Sequence, residues 1–273
     1  MKIEGIGFYK MSGAGNDFLV IDNREGLIPE KEKGDVARRV CRRRLSVGAD
    51  GILLVELSQV ATFRMRYFNA DGTEGEMCGN GARCITRFAF LKGIAGKEMT
   101  IESMSGILEA RAMGEQATIT LNPVTEKELN KEITVDNQKI CVDYIEEGTP
   151  GLPHSVIFKD DLTMEEDIEE IGRRIRYDKA FPRGTNVNFC RVVGKDTILN
   201  RTYERGVERE TLACGTGSGA AACAVFLHGM CGPEIEVKTK GGTLKITIGD
   251  ENLQKIYLTG DARIVYEGIL REV

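Results

Sequence analysis

Cys78-Gly-Asn-Gly-Ala-Arg-Cys84 in the first half of the chain is answered by Cys214-Gly-Thr-Gly-Ser-Gly219 in the second. Each stretch sets a cysteine and spaced glycines in front of an apolar run, Ala82 to Leu91 in one case and Ala220 to Leu227 in the other. Glycine lets a backbone come close to a ligand. The first N–H groups of a helix have no intrahelical acceptor, so they and the helix dipole attract negative charge. A cysteine at such a place has its thiolate stabilised. Each copy therefore reads as a thiol-bearing helix N-terminus, and the pair as two groups acting on one substrate from opposite sides.

The residues around the two stretches repeat as well. Asn16 precedes Cys78 by 62 positions and His154 precedes Cys214 by 60. Gly51 lies 27 before Cys78, and Asn186 lies 28 before Cys214. Strand-type alternation covers Ile3–Tyr9, Phe18–Asp22, Gly51–Glu56, Thr62–Phe68, Met99–Ser103, Ile107–Ala112 and Ala117–Leu121, with a short helix at Val36–Arg43. Asn122-Pro123 and the polar Thr125–Lys131 read as a boundary between halves. Beyond it come strands at Glu132–Val135, Lys139–Ile145 and Ser155–Phe158. A helix at Thr163–Ile175, signalled by the capping-box pair Thr163 and Glu166, precedes strands at Val187–Val193 and Thr197–Tyr203. Four more strands follow the second cysteine helix. The same order occurring twice indicates a divergent internal duplication, and two such halves are expected to pack about a pseudo-twofold axis.

Composition narrows the function. The 273 residues carry a net charge of −5, which argues against a nucleic-acid partner or an anionic membrane surface. No apolar run approaches the ~20 residues of a membrane span, and Met1-Lys-Ile-Glu-Gly5 lacks a secretory pattern, so a cytoplasmic setting with reduced thiols is expected. There is no Cys-x-x-Cys, and His154 and His228 are the only histidines; no metal site is expected. Cys41, Cys84, Cys141, Cys190, Cys223 and Cys231 read as small buried hydrophobes. No phosphate-cradling spacing stands out, and nothing calls for a nucleotide, nicotinamide or pyridoxal phosphate, so no cofactor is expected.

Two thiols flanking one carbon can remove a proton from one face and return one to the other, which inverts a stereocentre. The resulting carbanion, delocalised into a carboxylate, would be stabilised by the N–H groups at Gly79-Asn80 and Gly215-Thr216. Glu204 and Arg205 suit a second ammonium and carboxylate, Arg205 through its forked donors. Asn16, Asn69 and Asn186 can orient a zwitterion or simply shape their turns. His154 could support a thiolate or cap a loop. Arg83 and Arg87 read as surface or structural residues.

Taken together, Lys10-Met-Ser-Gly-Ala-Gly-Asn-Asp-Phe18, Phe68-Asn-Ala-Asp-Gly72, Met77–Cys84, Pro153-His154, Thr185-Asn-Val187 and Tyr203-Glu-Arg-Gly206 through Glu210–Gly217 resemble the diaminopimelate epimerases, in family order across nearly the whole chain. The resemblance implies a cofactor-independent epimerase interconverting LL- and meso-diaminopimelate, with Cys78 and Cys214 as the base and acid, assisted by His154 and Glu204. Asn16, Asn69, Asn186, Glu204 and Arg205 would hold the distal end, and Gly79, Asn80, Gly215 and Thr216 the reacting carboxylate. It also implies an α+β fold of two similar halves, each a curved, mostly antiparallel sheet around a central helix. One half is 1–122 plus 263–273 and the other 123–262. Three positions depart from the family pattern: Gly51 stands where glutamine is frequent, Leu152 where asparagine is frequent, and the loop Val207-Glu-Arg209 is one residue longer. A sister racemase, a non-catalytic amino-acid-binding protein and a thiol-redox protein are the alternatives. A homodimer is compatible with all of these readings.

Overall fold

The structure, a computed structural model, describes residues 3–271. In chain order the elements are β1 (Gly7–Gly13), β2 (Asn16–Asp22), α1 (Lys33–Val40), β3 (Gly51–Glu56), β4 (Phe63–Asn69), β5 (Glu74–Gly75), α2 (Gly79–Leu91), β6 (Glu98–Ser103), β7 (Gly106–Met113) and β8 (Gln116–Leu121). They continue as β9 (Val124–Val135), β10 (Gln138–Glu147), β11 (Leu152–Phe158), α3 (Glu169–Arg176), β12 (Asn186–Gly194), β13 (Thr197–Glu204), β14 (Arg209–Thr211), α4 (Gly215–Leu227), β15 (Glu234–Thr239), β16 (Gly242–Ile248), β17 (Ile256–Asp261) and β18 (Arg263–Ile269). The chain divides into two compact units, Met1–Ile119 with Thr259–Val273, and Thr120–Leu258.

In the first unit β1 pairs antiparallel with β18 and β2. β2 runs parallel to β3, β3 pairs with β4, β4 pairs with the short β5 and runs parallel to β6, and β7 follows antiparallel. The second unit repeats this pairing with β10 beside β9 and β11. β11 is parallel to β12, β12 pairs with β13, β13 pairs with the short β14 and runs parallel to β15, and β16 follows antiparallel. The duplication read from the spacings is thus a duplication of strand pairings.

Alternation along the strands assigns each face of these sheets. In β3, Ile52 and Leu54 pack with Val36, Ala37 and Val40 of α1, whereas Leu53 points the other way and touches α2 at Gly81. In β12, Val187 and Phe189 pack with Ile168 and Ile175 of the α3 region, whereas Asn188 faces α4 at Gly217. A sheet covered on both sides leaves its central strands buried on both faces, which is why Gly51–Val55 is buried throughout. α4 is apolar all round, with Ala220 through Val225 fully buried, as a central helix must be. α2 is buried likewise but carries Arg83 and Thr86 into the interior.

Three expectations are corrected. The polar Thr125–Lys131, read with Asn122-Pro123 as the boundary between halves, is strand rather than loop: it belongs to the twelve-residue β9, whose exposed face accounts for its polarity. The capping bond from Glu166 N to Thr163 Oγ1 forms at 3.3 Å, yet the helix begins only at Glu169. There Asp167 Oδ1 accepts the Glu169 N–H at 2.9 Å. Helix α1 starts three residues earlier than read, led in by a 3-10 turn at Glu30–Glu32.

Candidate active site

Cys78 and Cys214 occupy the same local position. Each is the N-cap of a thirteen-residue helix, with extended backbone (φ −136° and −108°), and each sulfur accepts the N–H three residues on, from Gly81 at 3.5 Å and from Gly217 at 3.4 Å. The cap is the role usually taken by a serine or aspartate oxygen; here it draws a donor and the positive helix end onto a sulfur. The helices cannot themselves supply acceptors for the N–H groups of Gly79-Asn80 and Gly215-Thr216, so both N-termini present an anion-seeking edge beside a thiol.

The first unit supports its thiol with a charged chain. Arg83 is fully buried. Its guanidinium donates to Asn80 Oδ1 at 2.9 Å and to the Gly79 carbonyl at 3.2 Å. Asn80 Nδ2 donates to Asn16 Oδ1 at 2.8 Å, and Asn16 Nδ2 to Asp50 Oδ2 at 2.8 Å. Both amides are therefore oriented from their ends, by a cation at one side and a carboxylate at the other. Beyond Asp50 lie Arg43 and Asp17; burial alone would raise the Asp17 carboxyl, but Arg43 and Lys10 hold it below its ordinary value. Asn69 is the last residue of β4, where the chain turns toward β5. There it accepts from the Tyr67 hydroxyl at 2.6 Å and donates to Thr73 Oγ1 at 3.0 Å.

Gly51 has a steric reason. A Cβ there would lie 2.5 Å from the Phe68 carbonyl oxygen and 2.6 Å from the Tyr67 ring. Tyr67 thus fills the place a longer side chain at 51 would need, and its hydroxyl reaches Asn69 instead.

The second unit surrounds its thiol with a buried carboxyl and with hydroxyl and amide groups. Glu204 takes hydrogen bonds from Thr211 Oγ1 at 2.8 Å and from Cys214. Burial nonetheless pushes its carboxyl above the ordinary value, the two hydrogen bonds only partly opposing the rise. Thr216 Oγ1 stands 3.5 Å from the Cys214 sulfur. Asn186 is almost wholly buried; its Oδ1 accepts the Arg205 N–H at 2.9 Å and its Nδ2 donates to the Pro153 carbonyl at 3.2 Å. It thereby joins the His154 strand to the Arg205 turn. Arg205 is half-buried, with one guanidinium nitrogen on the Arg183 carbonyl at 3.2 Å. His154 is fully buried, and burial together with the Arg205 charge holds its pKa down to about 3. The longer loop at Val207-Glu-Arg209 is tied to α3 through Arg176 and Glu208, 3.0 Å apart.

Of the anticipated residues, Gly79, Asn80, Gly215 and Thr216 form the helix starts, Asn16 is bonded to Asn80 and Glu204 to Cys214, whereas Asn69, His154, Asn186 and Arg205 lie on strands and turns with the partners given above. What the sequence reading passed over is the bracing by Asp50, Asn188, Thr202 and Thr211, while Arg83, read as surface or structural, is buried and structural. A charged residue inside the apolar run Ala82–Leu91 was the available sign for Arg83. Five of the six other cysteines are buried as expected, with thiols pushed up by burial, Cys41 and Cys84 to about 12. Cys141 is the exception, exposed on β10.

The model of the diaminopimelate epimerase family matches residues 8–125 and 149–265. A diaminopimelate epimerase of Archaeoglobus fulgidus is 44% identical, covering 97% of this chain and 96% of its own length. That of Aquifex aeolicus is 39% identical over 97% and 98%. Among solved structures, a probable proline racemase of Agrobacterium radiobacter superposes with TM-score 0.70 at 15% identity, covering 98% of this chain and 93% of that one. A phenazine biosynthesis protein of the PhzF family from Bacillus anthracis gives 0.68 at 18% over 99% of both chains. These two likenesses speak for the fold alone.

Proposed function

We propose an activity from one premise: this chain belongs to the diaminopimelate epimerase family. It interconverts LL-2,6-diaminopimelate and meso-diaminopimelate, the stereoinversion that serves lysine and peptidoglycan synthesis, as an amino-acid epimerase that needs no pyridoxal phosphate. The observation that carries the reading is the pair of cysteine N-caps, each sulfur drawing in the N–H of its own helix's third residue.

The chemistry follows from those caps. One cysteine, as thiolate, removes the α-proton; the electron pair left on carbon spreads into the adjacent carboxylate. The other cysteine, as thiol, delivers its proton to the opposite face, and the thiolate and thiol exchange roles for the reverse reaction. Gly79-Asn80 and Gly215-Thr216 supply N–H groups to the carboxylate where negative charge gathers. Glu204, protonated more readily than an ordinary carboxyl, accepts the Cys214 hydrogen bond and can take that thiol's proton when Cys214 becomes the base and return it when Cys214 becomes the acid. Asn16, Asn69, Asn186 and Arg205 hold the distal ammonium and carboxylate, with Arg205 as the forked partner.

Among the described residues no helix is long and apolar enough to cross a membrane. We place the enzyme in the cytoplasm, whose reducing conditions keep two functional thiols available. We also propose a homodimer, for which the exposed Val265, Tyr266 and Ile269 of β18 offer an apolar strand; light scattering giving a single-chain mass at working concentration would remove it.

The activity is tested in heavy water. Incubation of either stereoisomer without added cofactor should place deuterium at one α-carbon and form the other stereoisomer. Label entering a different amino acid, and neither diaminopimelate, would instead assign a sister racemase.

A further inference from the structure

Behind the Cys214 helix lies a buried polar chain to which the epimerisation chemistry assigns no role. Asn188, fully buried on the α4 face of β12, donates from Nδ2 to the Ser155 carbonyl at 3.2 Å. The same nitrogen stands 3.3 Å from His154 Nδ1. Its Oδ1 accepts from Thr202 Oγ1 at 2.8 Å, and Thr202 in turn accepts from Asn200 Nδ2 at 3.3 Å. The orientation of the Asn188 amide is forced. Turned over, it would set its carbonyl oxygen against the Ser155 carbonyl, two acceptors with no proton between them. Gly217 closes the remaining side, since a Cβ there would run into Asn188 Oδ1. With Nδ2 fixed as a double donor, His154 Nδ1 can only accept.

We infer that Asn188 is a positioning residue that locks His154 as the neutral tautomer carrying its proton on Nε2. The second ring nitrogen is then a buried N–H, and among the described residues it has no hydrogen-bond partner. A neutral imidazole in this state can give a hydrogen bond through Nε2 and can take a proton at neither nitrogen. Nδ1 is occupied by Asn188, and burial beside Arg205 opposes the imidazolium. His154 therefore serves the reaction as a hydrogen-bond donor rather than as a relay base. That it serves the reaction at all rests on the proposed function; its tautomer does not.

The tautomer is read directly by nitrogen NMR of the full-length protein labelled with ¹⁵N-histidine, in which His154 and His228 give the only two imidazoles and His228→Gln assigns them. A pyrrole-type Nε2 and pyridine-type Nδ1 are expected for His154, unchanged between pH 5 and 8, where an unperturbed imidazole changes charge. A protonated Nδ1, an averaged pair of tautomers, or titration within that window would overturn the inference with no variant needed. Asn188→Asp, which can only accept, should move the proton to Nδ1 and lower kcat roughly 10²-fold, the low end of what loss of one placed hydrogen-bond donor costs. Thr202→Val, which leaves Nδ2 on Ser155, should keep the Nε2–H form. An Asn188→Asp protein that retains the Nε2–H signal refutes the positioning role. One that changes tautomer with full kcat refutes the donor role. Absence of epimerase activity in the parent protein would instead fault the proposed function and leave the spectra to decide the tautomer alone.

Discussion

Alanine at Gly217 and alanine at Gly81 are chemically the same change at the same helical position, and the structure gives them opposite outcomes. At Gly81 the new Cβ would stand 3.0 Å and 3.4 Å from the two methyls of Leu53, the flexible end of a side chain that can turn aside. Replacing a helical glycine by alanine gains about 1 kcal/mol in propensity, so Gly81→Ala should leave stability within about 1 kcal/mol of the parent. At Gly217 the Cβ would collide with Asn188 Oδ1 and stand 2.9 Å from Thr202 Oγ1. Moving Asn188 abandons its bonds to Ser155, Thr202 and His154, each buried group left unmet costing roughly 1–3 kcal/mol. Lifting the helix start is the cheaper response, at about 1–3 kcal/mol of overpacking strain. Less the propensity gain, the net loss is about 0–2 kcal/mol, or up to roughly 8 °C in melting temperature at 2–4 °C per kcal/mol. The larger effect is on rate, because the lifted turn carries Cys214, and a displacement near 1 Å at a reacting group can cost about 10²-fold. Thermal melts and deuterium incorporation on the two variants together test the reasoning. If Gly217→Ala is as stable and as active as Gly81→Ala, Asn188 does not set the height of that helix.

Cys78→Ala and Cys214→Ala should each abolish interconversion, a loss of about 10²-fold or more expected for removal of a proton-transfer group; full turnover in either variant removes the two-thiol assignment. Arg83→Met should raise KM about tenfold through disordered Asn80 and Asn16. Its effect on stability should be small, because losing a buried charge offsets the lost bonds, and an unchanged KM would contradict the amide chain. His154, with a folded pKa of about 3 against 6.5 unfolded, binds its proton more readily in the unfolded chain. Its contribution to stability is complete above about pH 6.5 and disappears as pH falls toward 3, an amount on the order of 3–5 kcal/mol; His154→Gln should flatten that slope in denaturant titrations. Glu147 is fully buried with neither carboxyl oxygen partnered among the described residues, and burial raises its pKa well above 4.5. The folded chain then holds a proton the unfolded one releases, so stability falls as pH rises past 4.5. Glu147→Met should therefore stabilise by roughly 1–3 kcal/mol at pH 8 and by less at pH 4, and equal gains at both would count against the buried acid.

What the chain disclosed by itself was whatever repeats. Two cysteine-glycine helix starts at matched distances gave the duplicated α+β order, and the alternating runs gave most strands to within a residue or two. Local polarity misled where it conflicted with long-range pairing. Thr125–Lys131 has a loop's composition but a strand's partners in β10. At Thr163 a good capping signal made its hydrogen bond and still did not start a helix, which begins only at Glu169. Arg83 and Asn188 were opaque for a different reason. Each is polar, and its importance comes from burial against partners far along the chain, which no window of sequence contains. The asparagines at 16, 69 and 186 could be read as turn formers or ligand contacts, and their amides do brace turns and strands around the helix starts.

The twin helix starts rest on unlike foundations, an arginine and an aspartate joined through two amides beneath Cys78 and, beside Cys214, a buried carboxyl among hydroxyls and amides. Evolution has kept the outline of the repeat and let its electrostatics drift apart. An enzyme built this way has no reason to run its forward and backward reactions as kinetic mirror images. The primary isotope effect for deuterated LL substrate should differ from that for deuterated meso substrate, and the acid limbs of the two directional pH profiles should fall at different places.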